Sequence, residues 1–434
     1  MTTNIKLNKN IIKIEHWLII LIFIEGFFSL FRNIDLITHA RFWAEDGSVC
    51  FADAYNNYNN ILNPFTQVYN GYLITYPRLI ALIAQFFPLN QACNFFVVNI
   101  FFIKLIPPLI LISNKFKSLL ATPSKIFLIT YYWFMPNSYE VFLNLTNVQW
   151  YLSLITLLIV IGNESKSKLI IALETFAITL SGLTGPFAFF LIFIIILKSV
   201  KLDFAKPKLS FNSFNEKLFL SVCILCSILQ LYLVSKYLPA IHAVSYKEIY
   251  PVIVKALSGQ IFVGSILGVK GVSLFYYEYC KHLIIPLVIT ILGLSILTYT
   301  VVTAPQPLKL FVLYTYLMLI GCFYRSFVTA DLRSFISLAE PYNAIRYYFL
   351  PSLAYITSIG FIINKIKFKN ISLILKMLFL IAVCCGINKD FFLPKQTYID
   401  YPKLIDSFIK QKNYTKIKIP INPDCWDMTL IKHD

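Results

Sequence analysis

Residues 283–303 read LIIPLVITILGLSILTYTVVT, a run of 21 residues without a charged side chain. An apolar run of roughly 18 residues or more is long enough to cross the hydrocarbon core of a bilayer as a helix. Ten further apolar runs, several of them shorter, lie near 17–34, 92–112, 126–137, 149–162, 169–181, 186–197, 218–235, 309–323, 347–364 and 371–387. The sequence therefore predicts an all-α membrane protein with about eleven transmembrane helices.

The amino-acid composition excludes a water-soluble protein. The chain has 434 residues, of which 58% are hydrophobic and only 14% are charged. Soluble domains carry roughly a quarter charged residues, and a chain this apolar has too little polar surface to face water on all sides. The net charge of +17 does not indicate a nucleic-acid partner, because the lysines lie in short clusters between the apolar runs. Such clusters are typical of loops that orient a membrane protein.

The charge of the loops predicts the orientation of the chain. Segment 72–88 (YLITYPRLIALIAQFFP) is apolar but contains a proline and an arginine, and we expect it to lie on the outer membrane surface. The inner loops then carry 17 basic and four acidic residues, against 11 basic and nine acidic in the outer loops before the tail. Basic residues concentrate on the cytoplasmic side. We therefore expect a cytoplasmic N-terminus, a transmembrane bundle over 1–387 with an outer loop at 35–91, and a short extracytoplasmic tail at 388–434.

All arginines fall on the predicted outer face or at its membrane edge, whereas the inner basic residues are lysines. Orientation requires only positive charge, but the planar guanidinium group of arginine also binds phosphate through two parallel hydrogen bonds. This distribution indicates an anionic ligand on the outer side. The arginines are Arg32, Arg41, Arg78, Arg325, Arg333 and Arg346.

The first outer loop contains two adjacent acids. It follows the first span directly, and residues 35–71 read DLITHARFWAEDGSVCFADAYNNYNNILNPFTQVYNG, with the acids at Glu45 and Asp46. A carboxylate at the mouth of a helical bundle can take a proton from an acceptor hydroxyl group. The simpler alternative is that Asp46 caps a surface helix that begins near Gly47, with Glu45 solvated. Spacing alone favours the simpler alternative.

A resemblance to known proteins favours the catalytic interpretation of the acidic pair over the capping one. An acidic pair just after the first span resembles the integral membrane glycosyltransferases of the GT-C superfamily. Several stretches are also similar to a family of bacterial multi-pass proteins, mostly uncharacterised or labelled as GT-C-like or serotype-converting glucosyltransferases. These stretches are ARFWAEDGSVCFADAY, GYLITYPRLIALIAQFFPLNQA, VFLNLTNVQWYLSL, AIRYYFLPSL and IPINPDCWDMTL.

The resemblance implies a fold and a reaction. The fold is a GT-C-like bundle with surface helices in the first outer loop. The donor is a sugar on a polyprenyl phosphate or pyrophosphate, and the acceptor is a cell-envelope glycan or a lipid-linked glycan, as in O-antigen modification. The location is the bacterial inner membrane, among membrane lipids. No cofactor is expected, and the lack of a DxD motif argues against a required metal.

The resemblance also implies roles for individual residues. Asp46 or Glu45 would accept the acceptor proton, and the sequence does not separate the two. Arg346 and Arg333 would hold the lipid phosphate, with Arg78 as a third candidate. An equally good alternative is that Arg346 anchors the chain at the membrane interface beside two tyrosines.

Residues 137–150 (NSYEVFLNLTNVQW) form a second polar stretch. Amide groups and an indole ring suit a sugar, because they bond to its hydroxyl groups and stack on its face. The alternative is an ordinary polar turn with an interfacial tryptophan. The candidate residues are Glu140, Asn144, Asn147, Gln149 and Trp150.

Two other classes of protein stay open. A lipid or polysaccharide transporter or flippase would use Glu25 and Glu174, which fall inside predicted spans, where a charged carboxylate is costly. A non-catalytic partner of an envelope assembly complex would need no particular outer carboxylate.

Lone histidines such as His39 and His242 are more often structural than catalytic, and no HExxH, Walker or GxSxG pattern occurs. The tail segment PINPDCWDMTL is expected to pack as an extended cap on the outer face, or as a lid.

Overall fold

The computed structural model describes residues 2–58, 60–201, 208–209, 213–237, 246–329, 331–410 and 415–432. The chain is mostly helical. Its helices are α1 (Thr2–Leu30), α2 (Ile34–Thr38), α3 (Ala52–Asn56), α4 (Asn63–Thr66), α5 (Thr75–Ala84), α6 (Ala92–Ile112), α7 (Thr122–Phe134), α8 (Val148–Ile161), α9 (Lys168–Gly182), α10 (Ala188–Ser199), α11 (Phe214–Tyr237), α12 (Tyr246–Lys255), α13 (Gly264–Leu274), α14 (Ile284–Thr303), α15 (Gln306–Thr329), α16 (Leu332–Ile336), α17 (Phe349–Lys365), α18 (Lys369–Lys389) and α19 (Tyr401–Lys410). The strands are β1 (Val68–Tyr69), β2 (Tyr72–Leu73), β3 (Val200–Lys201), β4 (Lys208–Leu209), β5 (Lys416–Ile421) and β6 (Trp426–Ile431).

Helix length decides how many segments can cross a bilayer. Within the described ranges, seven segments are long and apolar enough, namely 16–38, 89–112, 214–237, 247–279, 284–303, 306–329 and 369–389. Six of them match predicted spans. The other five predicted spans form α7, α8, α9, α10 and α17, which have only 12 to 17 residues. The structure thus confirms a helical membrane protein, but it does not support the count of eleven spans.

The short helix α8 explains why the count differs. All of its residues except Gln149 are buried. A helix that is apolar on every side is stable only when other helices surround it. α8 is therefore the central helix of the bundle, and its apolar run reflects packing inside the protein and not contact with lipid.

Residues 246–279 form a helical hairpin between α11 and α14. The chain turns at Gly268, where φ is +72°. Gly259 in the first limb lies against Val272 and Phe275 in the second limb. In one straight helix, residues 13 apart would be roughly 20 Å from each other. The segment is therefore long enough to span but doubles back on itself.

The first loop after α1 contains short helices and a tight turn. Strands β1 and β2 pair with Tyr69 opposite Tyr72, and the turn residues Asn70 and Gly71 both have positive φ. The sequence Asn-Gly favours this two-residue hairpin turn. Helix α5, which follows, has ten residues and is about 15 Å long, so it cannot cross a bilayer of about 30 Å. The expectation that 72–88 does not span agrees with this length.

The C-terminal segment is a small folded unit. β5 and β6 pair in antiparallel fashion from Lys416 opposite Ile431 to Ile421 opposite Trp426. The segment expected to be simply extended is thus a hairpin. Its inner side chains Ile419, Met428 and Leu430 are fully buried. The tail therefore packs firmly onto the rest of the protein.

Candidate functional site

The segment that carries the acidic pair is held in place by the C-terminal hairpin. Asn422 N donates to Phe42 O at 3.2 Å, and Ala44 N donates to Asn422 O. Gly47 is tightly enclosed, because a Cβ atom there would lie 2.9 Å from Phe42 Cβ and 3.0 Å from Ile421 Cδ1. The tail thus fixes residues 42–47 from one side.

Asp46 fixes the same segment from the other side. Its carboxylate is buried and accepts hydrogen bonds from Leu145 N at 3.0 Å and Thr146 Oγ1 at 2.6 Å. Burial raises the pKa of Asp46 to about 7, against the lowering effect of these hydrogen bonds. The side chain is engaged with the turn before α8 and does not cap the helical turn that follows it. Asp46 therefore joins the first loop to the 143–147 turn.

Glu45 lies in a different environment from its neighbour. Its Oε1 accepts a hydrogen bond from the Tyr69 hydroxyl at 3.1 Å, and its side chain is partly exposed. Burial and the Glu45 charge raise the pKa of Tyr69, so this hydroxyl stays protonated as a donor. Glu45 also interacts electrostatically with Arg346 and Tyr72. Glu45 is thus the partly exposed member of the pair, and its charge interacts with that of Arg346.

Arg346 is oriented by Glu140. It lies in the helical turn Ile345–Tyr348 just before α17. Its guanidinium group forms an ion pair with Glu140 Oε1, and its main-chain N donates to Glu140 Oε2 at 3.0 Å. The guanidinium carbon lies 4.9 Å from the centre of the Tyr347 ring. The Arg346 side chain keeps 37% of its surface exposed, so a ligand can still reach it.

Arg325 is a further cation of the cluster, and its position in the sequence indicated no individual role. It lies near the end of α15 and donates from Nη2 to Asn70 O at 2.5 Å. Its guanidinium carbon lies 5.6 Å from the centre of the Tyr72 ring, and Tyr72 interacts electrostatically with both Arg325 and Arg346. The sequence feature that could have indicated this contact is the Asn70-Gly71 turn, because it places the Asn70 carbonyl oxygen beside the Tyr72 ring, where Arg325 binds it.

We call the set Glu45, Tyr69, Tyr72, Arg325, Arg346 and Glu140 the acid–arginine cluster. Its members come from the first loop, the 137–147 stretch, α15 and the turn before α17. These segments lie at one end of the bundle, which we call the polar end. Loops distant in sequence thus bring one partly exposed carboxylate and two guanidinium groups together.

Two other predicted arginines lie in different surroundings. Arg78 is buried in α5 and donates from Nη1 to Asp53 Oδ2 at 2.8 Å and to Asn63 Oδ1 at 2.9 Å. It therefore ties together the short helices of the first loop. Arg333 is 79% exposed and pairs with Glu340 at 3.2 Å. Within the described residues, the hydrogen bonds and ion pairs of Arg78 and Arg333 are made to residues outside the acid–arginine cluster.

The amide-rich stretch supports the turn on which Arg346 depends. The side-chain amides of Asn144 and Asn147 donate to Glu140 O at 2.5 and 2.8 Å. Trp150 is buried beside Tyr347, with the ring centres 5.7 Å apart. Among the described residues, Gln149 Oε1, Asn147 Oδ1 and Trp150 Nε1 have no hydrogen-bond partner. The asparagine amides thus have a structural task, and the three polar atoms without a partner are enclosed by protein.

The other predicted acids and histidines lie apart from the cluster. Glu174 pairs with Lys115 at 3.0 Å, and Glu25 accepts from Thr130 at 2.6 Å. His39 pairs with Asp35 at 3.3 Å. His242 lies outside the described residues. In the described part of the chain, no group of three or more His, Cys, Asp or Glu residues is arranged to hold a metal ion.

Comparison with known proteins gives no relative. No family model matches the chain, and no curated protein or solved structure matches it. Inference about function therefore starts from the acid–arginine cluster itself.

Proposed function

We propose that the protein is a GT-C-type membrane glycosyltransferase that moves one monosaccharide from a polyprenyl-phosphate carrier to a cell-envelope glycan or a lipid-linked acceptor. The observation that carries this proposal is the arrangement of the acid–arginine cluster, in which the partly exposed Glu45 is near enough to Arg346 for their charges to interact. The transfer needs a base for the acceptor hydroxyl and a cation for the departing phosphate. Both kinds of group are present in this cluster.

The proposed reaction is a single displacement at C1 of the sugar. The acceptor oxygen forms a bond to C1 while Glu45 takes its proton. The bond between C1 and the phosphate oxygen breaks, and its electron pair stays on that oxygen. Arg346 stabilises the new negative charge, and Arg325 reinforces the positive potential of the cluster. Attack from the face opposite the phosphate inverts the configuration at C1.

Glu45 suits the role of base better than Asp46. Asp46 already accepts two hydrogen bonds and is 3% exposed. Glu45 is partly exposed, and its charge interacts with that of Arg346. Asp46 then has a positioning role, because its contacts with Leu145 and Thr146 fix the backbone that presents Glu45.

The substrate sugar would lie between Glu45 and Tyr347. The Tyr347 ring is partly exposed, lies under the Arg346 guanidinium group and packs on the buried Trp150. An accessible aromatic ring beside a carboxylate and a guanidinium group suits a hexose ring. Gln149, Asn147 and Trp150 would bind the sugar only once their enclosed polar atoms become accessible, while Glu140 would keep Arg346 in place.

The proposed setting is the inner membrane of a bacterium, with a cytoplasmic N-terminus and the polar end outside. The distribution of lysines supports this orientation. The helical hairpin at 246–279 supports it too, because a segment that doubles back leaves the later helices on their predicted sides. The five short helices would complete eleven crossings as packed members of the bundle. Labelling of cysteines introduced at 45 and 346 tests this, and labelling from opposite sides of the membrane would end the proposal.

The direct test is a transfer assay with purified protein and a polyprenyl-phosphate hexose. We expect Glu45→Gln to lower the rate by roughly 10²- to 10⁴-fold, the range for loss of a general base. Asp46→Asn is the matched control, since it removes the neighbouring charge, and we expect a much smaller loss. Full turnover by Glu45→Gln would refute the proposed base.

A further inference from the structure

A large apolar chamber lies at the other end of the bundle. Its volume is about 470 Å³, within the roughly 300–1,000 Å³ of ordinary ligand pockets. Helices α6, α7, α8, α15, α17 and α18 surround it. α17 begins beside Arg346 and runs about 25 Å to Lys365, and the chamber follows it from Leu353 to Asn364. The chamber is therefore separate from the acid–arginine cluster.

The walls of the chamber suit a hydrocarbon chain. Most lining residues are aliphatic or aromatic, for example Leu111, Leu158, Phe311 and Phe379. Polar side chains are few, so water inside would find few hydrogen-bond partners. A Cβ atom at Gly360 would meet nothing within 4 Å, which shows open space at the wall.

The segments that supply the helices around the chamber contain basic residues but no Asp or Glu. Segments 101–139, 150–161, 304–330 and 349–389 supply the surrounding helices and include no Asp or Glu. The same segments carry seven lysines at or near this end: Lys117, Lys125, Lys309, Lys365, Lys367, Lys369 and Lys376. An eighth, Lys115, forms an ion pair with Glu174 of α9 at 3.0 Å, which offsets its charge. Lys376 lines the chamber itself and is exposed. We call this the lysine-rich end.

We propose that the chamber binds one acyl chain of a phospholipid with an anionic head group. The hydrocarbon chain enters the apolar space, and Lys376 at its wall, together with the lysines near this end, binds the phosphate. Charge complementarity identifies the head group, because basic residues beside a membrane attract anionic lipids. The site is independent of the proposed glycosyl transfer and lies in the leaflet at the lysine-rich end.

The test uses the full chain in phosphatidylcholine vesicles with a minor fraction of phosphatidylglycerol that carries a diazirine on one acyl chain. We expect labelling of residues 353–364 and 376–380. Gly360→Phe fills the open space and should lower this labelling at least about fivefold. Gly360→Ala is the matched control, because it changes the backbone propensity in the same direction but leaves the volume, and it should label as the original chain does.

A second variant tests the head group, because it removes a charge at the chamber wall and keeps a polar side chain there. Lys376→Gln removes an exposed charge and should reduce the preference for phosphatidylglycerol over an equally labelled phosphatidylcholine. Equal labelling by both lipids in the original chain, or labelling unaffected by Gly360→Phe, would overturn the proposal. Displacement of the label by an added polyprenyl phosphate would overturn it too, because the chamber would then hold a polyprenyl chain.

Discussion

The two ends of the bundle carry charge differently. At the polar end, acids and arginines from distant segments lie together, as in the ion pair of Glu140 with Arg346 and the electrostatic interaction of Glu45 with Arg346. At the lysine-rich end, the segments around the chamber carry lysines and no acid, and Lys115 there forms an ion pair with Glu174 of a neighbouring helix. Orientation in a membrane requires only an excess of lysine or arginine. A partly exposed acid beside two arginines therefore indicates a site, whereas an excess of lysines indicates a surface that faces lipid head groups.

The largest expected effect is the pH dependence that Asp46 gives to the free energy of unfolding. Because the pKa of Asp46 is raised from 3.8 to about 7 in the folded state, its contribution to stability is full below pH 4 and is lost as the pH rises to about 7. At about 1.4 kcal/mol per pKa unit, the loss is on the order of 4 kcal/mol. Thermal unfolding of Asp46→Asn in detergent should show a flatter profile between pH 4 and 7. An unchanged profile would show that Asp46 is not buried as described.

The next effect concerns the tail that supports the acidic pair. Ile421 is 3% exposed and contacts the Gly47 position, so Ile421→Ala should cost about 3 kcal/mol through the cavity that it leaves. We expect faster proteolysis of the tail and lower transfer activity. The control is Ile431→Ala on the same hairpin, because Ile431 is 45% exposed and its truncation should change stability by less than about 0.5 kcal/mol. Equal effects of the two changes would contradict the proposed support.

A smaller effect on stability is expected when Arg346 is replaced. Arg346→Met leaves the buried Glu140 carboxylate without its cation, and should cost about 2 kcal/mol of unfolding free energy, less than a fully buried pair. Adding Glu140→Gln removes the unpaired charge and should restore much of this stability. Transfer activity should stay low in the double variant, since the phosphate-binding group is still absent. Restored activity would show that Arg346 is only structural.

The smallest effect is expected at Arg333. Its ion pair with Glu340 is exposed, and such pairs contribute about 0–1 kcal/mol. Arg333→Met should leave both thermal stability and transfer activity nearly unchanged. A large loss of activity would add Arg333 to the phosphate site, as the sequence analysis expected.

The sequence predicted the helical membrane fold because apolar run length reports directly on burial in lipid or protein. It did not predict the number of long spans, since a run such as 149–162 is equally apolar when other helices enclose it. The hairpin at 246–279 was missed because its turn depends on the backbone at Gly268. Length and composition alone do not distinguish a spanning helix from an enclosed or folded one.

The site was partly predicted for a similar reason. The acidic pair and Arg346 are visible as charged residues at the ends of apolar runs. Arg325, Tyr69 and Thr146 acquire their roles only through contacts with residues far away in the chain. The difference between Glu45 and Asp46 also depends on tertiary packing, because the sequence alone does not show which of two adjacent acids becomes buried.

A double-mutant cycle between Glu45 and Arg346 tests the central claim most directly. The turnover of a polyprenyl-phosphate hexose is measured for Glu45→Gln, Arg346→Met and the double variant, with Glu45→Gln plus Arg333→Met as the control pair. Residues that act in one step have non-additive effects. We predict that the double variant is hardly slower than the worse single variant. Effects that multiply independently, or full activity in any variant of Glu45, would contradict a shared site.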